Sequence, residues 1–149
     1  MKNQTITVLT GTLLLMAVGV VQADNGVIGC KLKNGTQVWL DIHGSAVDYV
    51  HYNKAGDTDL RLPATAYGFF QGASANTTTY YRFAKGDYSY VVIATDAPGH
   101  VWNGLTVYKG KKRLSQQSCQ SYFNGELPQP SPDNGTITRE ADPDFAYTP

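Results

Sequence analysis

The stretch Val27-Ile28-Gly29-Cys30-Lys31-Leu32-Lys33-Asn34-Gly35-Thr36-Gln37-Val38-Trp39-Leu40-Asp41-Ile42 decides the fold. Two runs rich in β-branched and apolar residues flank Asn34-Gly35. This dipeptide is the strongest short hairpin signal, because a tight hairpin turn needs positive φ at its centre. Outward from this hairpin the same grammar repeats. His43-Gly44-Ser45 leads into Ala46 to Tyr52, Asn53 to Gly56 makes another turn, and Thr58 to Leu62 reads as a fourth strand with Leu60 and Leu62 on one face.

Pro63 to Thr79 breaks the pattern. Its aromatics lie among glycines with no clean period, so a long loop is expected there. Strands resume at Tyr80 to Ala84 and Tyr88 to Thr95, joined by Lys85-Gly86-Asp87. A second loop is expected over Asp96 to Asn103, and Gly104 to Lys109 and Arg113 to Cys119 complete eight strands. Short connections imply antiparallel pairing. The expected fold is all-β, a closed sandwich or barrel. Three segments follow: a leader over 1–23, a β domain over 24–120, and a Pro-rich extended tail over 121–149 that either lies along the domain or moves freely.

The leader reads as a secretory signal. Lys2 precedes a mostly apolar run from Val8 to Val21, and Val21-Gln22-Ala23 offers a cleavage site, so export to the periplasm is expected. The run is too short and too interrupted for a spanning helix, and no membrane insertion is expected after cleavage. In an oxidising compartment the two cysteines, Cys30 and Cys119, are most simply one disulfide. Twelve basic and twelve acidic side chains balance, which argues against a strongly basic nucleic-acid binder.

The search for chemistry returns little. No nucleophile elbow, C-x-x-C pair or metal-ligand spacing is present, so no catalytic residue, metal or cofactor is expected. His43 and His51 read as surface residues flanking a turn, and Asp57 and Asp59 as a solvated strand edge. What stands out is aromatic residues in the two expected loops: Tyr67, Phe69 and Phe70 in one, Trp102 with His100 in the other. Rings on loops held by a rigid scaffold suit protein recognition, although they would equally serve to plug the ends of a barrel.

The motifs Cys30-x-Leu32-x-Asn34-Gly35, Leu60-x-Leu62-Pro63, Tyr81-Arg82-Phe83-x-x-Gly86-x-Tyr88-x-Tyr90-Val91-Val92 and Gly104-Leu105-x-Val107-Tyr108-Lys109, closing on Cys119, form a recognisable layout. It resembles small bacterial periplasmic inhibitors of peptidoglycan-cutting enzymes. Within that group it looks most like an immunity protein against a muramidase effector delivered by type VI secretion. The resemblance covers Gly26 to Cys119 and implies occlusion of a lysozyme-like cleft. The Ser-Gly plus Lys-Gly loop pair of lysozyme inhibitors is not present, so no site residue transfers from them. The residues expected to meet the partner are Tyr67, Phe69, Phe70, Arg82, His100 and Trp102, with Arg82 or His100 as the donor nearest a carboxylate. A general lysozyme inhibitor, a small-molecule or cell-envelope binding module, and an enzyme are the alternatives. A homodimer is compatible with an open sheet edge.

Overall fold

The computed structural model describes residues 25–72, 76–129 and 137–140. The segment 1–23, expected to be a secretory signal, lies outside the described residues. Among the described residues, ten strands form two sheets. The first sheet is a meander of β1 (Asn25–Lys31), β2 (Gln37–His43), β3 (Ala46–Tyr52) and β4 (Thr58–Pro63). The second holds β5 (Ala66–Gln71), β6 (Thr77–Lys85), β7 (Tyr88–Ala97), β8 (His100–Lys109), β9 (Lys112–Ser118) and the short β10 (Thr138–Arg139). Its order is β10-β5-β6-β7-β8-β9, antiparallel except for β10 against β5. No helix is present among the described residues.

Alternation sets the layers. In β2, Val38, Leu40 and Ile42 turn inward while Gln37, Trp39 and Asp41 face out, and their counterparts across the gap are Tyr81, Phe83, Val92 and Leu105. The sheets meet at two corners without closing into a barrel. At one, the chain steps from β4 to β5 through Ala64, whose N–H donates to Val47, and Thr65, whose N–H donates to Arg82. At the other, Leu32 and Cys119 form an isolated antiparallel bridge beside the Cys30–Cys119 disulfide, whose Cα atoms lie 5.7 Å apart.

Both expected loops prove to be strands. The segment over Pro63 to Thr79 contains β5 and the start of β6, and the segment over Asp96 to Asn103 is a hairpin turning at Pro98-Gly99, with Gly99 at φ 77°. The period-2 signal failed in β5 because both of its faces are covered. Tyr67 packs inward, and Ala66 and Gly68 are buried on the opposite side.

The described part of the tail belongs to the domain. Phe123, Leu127 and Ile137 are buried in the inter-sheet core, and the Tyr81 hydroxyl donates to the Pro128 carbonyl at 2.6 Å. Asn124 lies along the free edge of β1. Its carboxamide accepts from Gly29 N–H at 2.8 Å and donates to the Val27 carbonyl at 3.1 Å. One side chain thereby occupies backbone groups that would otherwise template another strand.

Candidate functional site

Strand register assembles the outward face of the larger sheet into rows. Phe70, Thr78, Thr95 and Trp102 lie side by side on β5 to β8. The next row is Gly68, Tyr80, Ile93, Gly104 and Ser118, and the third is Ala66, Arg82, Val91, Thr106 and Gln116. Tyr80, Val91 and Ile93 form a buried apolar cluster here, with Phe70, Trp102 and Tyr108 packed against it. A sandwich usually turns polar residues outward. This sheet carries rings on its outward side as well.

Two glycines let those rings lie flat. A Cβ built on Gly68 would sit 2.3 Å from the Tyr80 ring, and one on Gly104 would sit 2.8 Å from the Trp102 ring and 2.1 Å from the Gln117 carbonyl. Phe70 stacks on Tyr80 with centroids 5.9 Å apart. The Thr78 and Thr95 hydroxyls bond each other at 3.1 Å between the two end rings. In the third row the buried Thr106 hydroxyl meets no hydrogen-bond partner among the described residues.

Of the six residues expected to meet a partner, three gather on this face: Phe70, Arg82 and Trp102. His100 sits at the hairpin tip, exposed, two residues before Trp102 on the same strand and so on the same side. Tyr67 goes elsewhere. It is 7% exposed and packs on Tyr81 inside the core. Phe69 also turns inward, at the rim of a groove of about 640 Å³ that it shares with Val101, Phe123 and Leu127. Odd positions of β5 face in and even positions face out, so the aromatic stretch is divided between core and surface.

Arg82 is already engaged. Its guanidinium donates to Glu140 Oε1, 2.7 Å from Nε and 2.5 Å from NH2, while Glu140 Oε2 accepts from the Tyr80 hydroxyl at 2.8 Å. Glu140 and Tyr80 were not singled out in the sequence, and Tyr108 appeared there only within a layout motif. Tyr80 and Tyr108 share the outward parity of Arg82 and Trp102, so a strand-by-strand parity count would have found them once β6 and β8 were registered. Nothing local marks Glu140.

The smaller sheet carries a charged outer face instead. Arg61 reaches Asp41 on β2 and Asp48 on β3, and His43 lies 3.0 Å from Asp41. The Arg61 guanidinium holds the Asp41 carboxyl below its usual range against a partial opposing effect of burial, with His43 adding to the lowering. Among the described residues no group of three His, Cys, Asp or Glu side chains gathers as metal ligands. Among the described residues no helix is long and apolar enough to cross a membrane. The chain matches no family model, no curated protein and no solved structure.

Proposed function

We propose that this protein is an exported immunity protein that binds a peptidoglycan-cutting muramidase and blocks its substrate cleft. One observation carries the reading. Phe70 and Trp102, from strands β5 and β8, end a single outward row, with His100 exposed just beyond Trp102. Three strand spacings separate the two rings, about 14 Å. The inter-sheet core does not use them. Half-buried rings on a rigid sheet lose little freedom on binding, which is the physical profile of an interface anchor.

The polar part of the contact falls to His100. Arg82 is held by Glu140 and stabilises the face from within. A muramidase cleft carries a pair of carboxylates flanking the scissile bond, and an imidazole at a hairpin tip is a suitable donor to one of them. Occlusion asks only for shape and desolvation. The residue layout that resembles periplasmic inhibitors supports the same conclusion, as does the disulfide that an oxidising compartment would preserve.

The test is inhibition. Protein purified after export is assayed against a panel of lysozyme-like domains by peptidoglycan clearing, alongside Phe70→Ala/Trp102→Ala. One cognate muramidase should be inhibited. The double variant should lose about 30-fold or more in affinity, the scale of a hot-spot pair, while its circular dichroism spectrum shows that it remains folded at the assay temperature. The proposal fails if no muramidase is inhibited, or if the double variant inhibits like the parent. A protein that inhibits ordinary lysozymes as strongly as any effector domain would be a general inhibitor, and the immunity role would fall.

A further inference from the structure

A second place in the fold breaks the rules of a sandwich core. Where β3 and β4 face β8 and β9, the sheets part around a cleft of about 410 Å³, within the size range of ligand pockets. Leu32, Tyr49 and Leu105 form its buried floor. The inward positions of β9 should be apolar, yet register places Ser115 beside Val107 and Gln117 beside Leu105, both lining the cleft. A hydroxyl and a carboxamide therefore stand where core side chains belong.

Each wall also carries a β-bulge at this point. On β4, His51 pairs with Leu60 and Tyr52 with Thr58, so Asp59 is the extra residue. The bulge turns its carboxylate toward His51, and Oδ1 lies 2.5 Å from His51 Nδ1. On β9, Val107 pairs with Ser115 and Tyr108 with Arg113, so Leu114 is the extra residue beside Ser115. Bulges re-aim side chains and recur beside binding sites. Two of them, facing each other across one gap, shape both walls.

The polar groups are unspent. Tyr49 is 1% exposed, and among the described residues its hydroxyl has no hydrogen-bond partner. The same holds for the Tyr90 hydroxyl, the Lys85 ammonium and the side chains of Ser115 and Gln117, all of which line the cleft. Burial pushes the Tyr49 phenol well above its usual value, and Tyr90 and Asp59 push in the same direction. Tyr49 and Tyr90 rings pack with centroids 5.6 Å apart, and His51 stacks on Tyr49 at 6.3 Å.

We propose that this cleft between β3–β4 and β8–β9 is a saccharide-binding site. One ammonium and one carboxylate leave no excess charge to select an ion. Hydroxyls and a carboxamide that both donate and accept suit a ligand whose own groups do the same, which is the chemistry of a sugar. The half-buried Tyr90 ring supplies the apolar surface on which the C–H face of a pyranose rests. Asp59 accepts from sugar hydroxyls with its free oxygen, and Lys85, which also lines the cleft, donates. Ser115 makes no hydrogen bond to His51, so the three residues Ser115, His51 and Asp59 do not form a hydrolytic triad in this geometry.

This inference is independent of the muramidase proposal, since the cleft shares no residue with the Phe70–Trp102 row. The test is an amide-resonance titration of the exported protein with glucose, mannose, N-acetylglucosamine and chitobiose, with sodium sulfate and glutamate in parallel. At least one sugar should give saturable shifts confined to residues around Asp59, Tyr90, Ser115 and Gln117. Asp59→Asn and Tyr90→Ala should each weaken binding by about tenfold or more, the loss expected of a hydrogen bond to a charged group or of a ring contact. Gln117→Ala, on a half-buried edge strand, provides a variant with little risk to folding and should weaken binding in the same direction. No saturable shift with any of the four sugars overturns the proposal. So does binding of sulfate or glutamate alone at these residues, or sugar binding that all three variants leave unchanged.

Discussion

Glu140 and Arg82, 58 positions apart in the chain, close on each other across the outward face of the larger sheet, with Glu140 Oε1 accepting from Arg82 Nε at 2.7 Å. The contact fastens the end of the described tail to β6. It is reinforced by β10 lying parallel to β5, where Glu140 N–H donates to the Tyr67 carbonyl at 2.8 Å. A guanidinium half removed from water needs its counter-charge. Glu140→Gln should therefore lower the unfolding free energy by about 1–2 kcal/mol, less than the cost of breaking a fully buried pair. Urea denaturation reads this directly. An unchanged midpoint would mean the pair is a surface accident.

The disulfide spans 89 positions and ties the first strand to the end of β9. Loop-closure entropy alone gives about 4–5 kcal/mol for a link of that length. Cys30→Ser/Cys119→Ser should lose about 2–5 kcal/mol, measured as the difference in urea midpoint between oxidised parent and variant. The parent under strong reductant should fall to the variant's value. If reductant leaves the parent unmoved, the thiols are not linked in solution.

Gly68 lies beneath the Tyr80 ring, and a methyl group there would overlap it at 2.3 Å. Gly68→Ala should cost about 1–3 kcal/mol through forced displacement of the ring. Tyr80→Ala made in the same chain should recover part of that loss, because the obstruction goes with the ring. The double-mutant cycle measures the coupling. Additive losses would show that the ring does not rest on the glycine.

Asp41 offers a pH-dependent contribution whose sign is fixed. Its folded-state carboxyl titrates below the unfolded value of 3.8, chiefly because it accepts from Arg61. The stabilisation is therefore present above about pH 4 and is lost as pH falls through the lowered folded value. Because Arg61 is 47% exposed, screening keeps the contribution below about 1 kcal/mol. Arg61→Gln should raise the midpoint of the Asp41 carboxyl resonance toward the ordinary value and shallow the acid limb of stability between pH 4 and pH 2. A titration midpoint that does not move would remove Arg61 as the cause.

The hairpins of the smaller sheet were legible because each side chain there has one job. Val38, Leu40 and Ile42 are buried, their neighbours face water or a charge, and Gly35 at φ 91° takes the turn. The disulfide followed from there being only two cysteines. In the larger sheet the same logic fails. Ala66 to Phe70 and Thr77 to Thr79 are strands with both sides covered or both sides small, so alternation vanishes and glycine imitates a loop. The sequence picked out Phe70, Arg82 and Trp102, but it read Phe70 and Trp102 as loop residues and did not reveal the three as neighbours on one sheet.

By itself, then, the order of residues determined an all-β chain, its hairpin grammar, and a covalent link between Cys30 and Cys119, because turn chemistry, period-2 burial and cysteine count are local or global properties that need no partner. Only the tertiary structure decided which aromatics are core and which are face, that Glu140 answers Arg82, and that Ser115 and Gln117 look across a gap at His51 and Asp59. Those relationships join residues tens of positions apart through strand register and two bulges. A single inserted residue in a ladder reverses which way a side chain points, and no pattern short of the folded sheet records that choice.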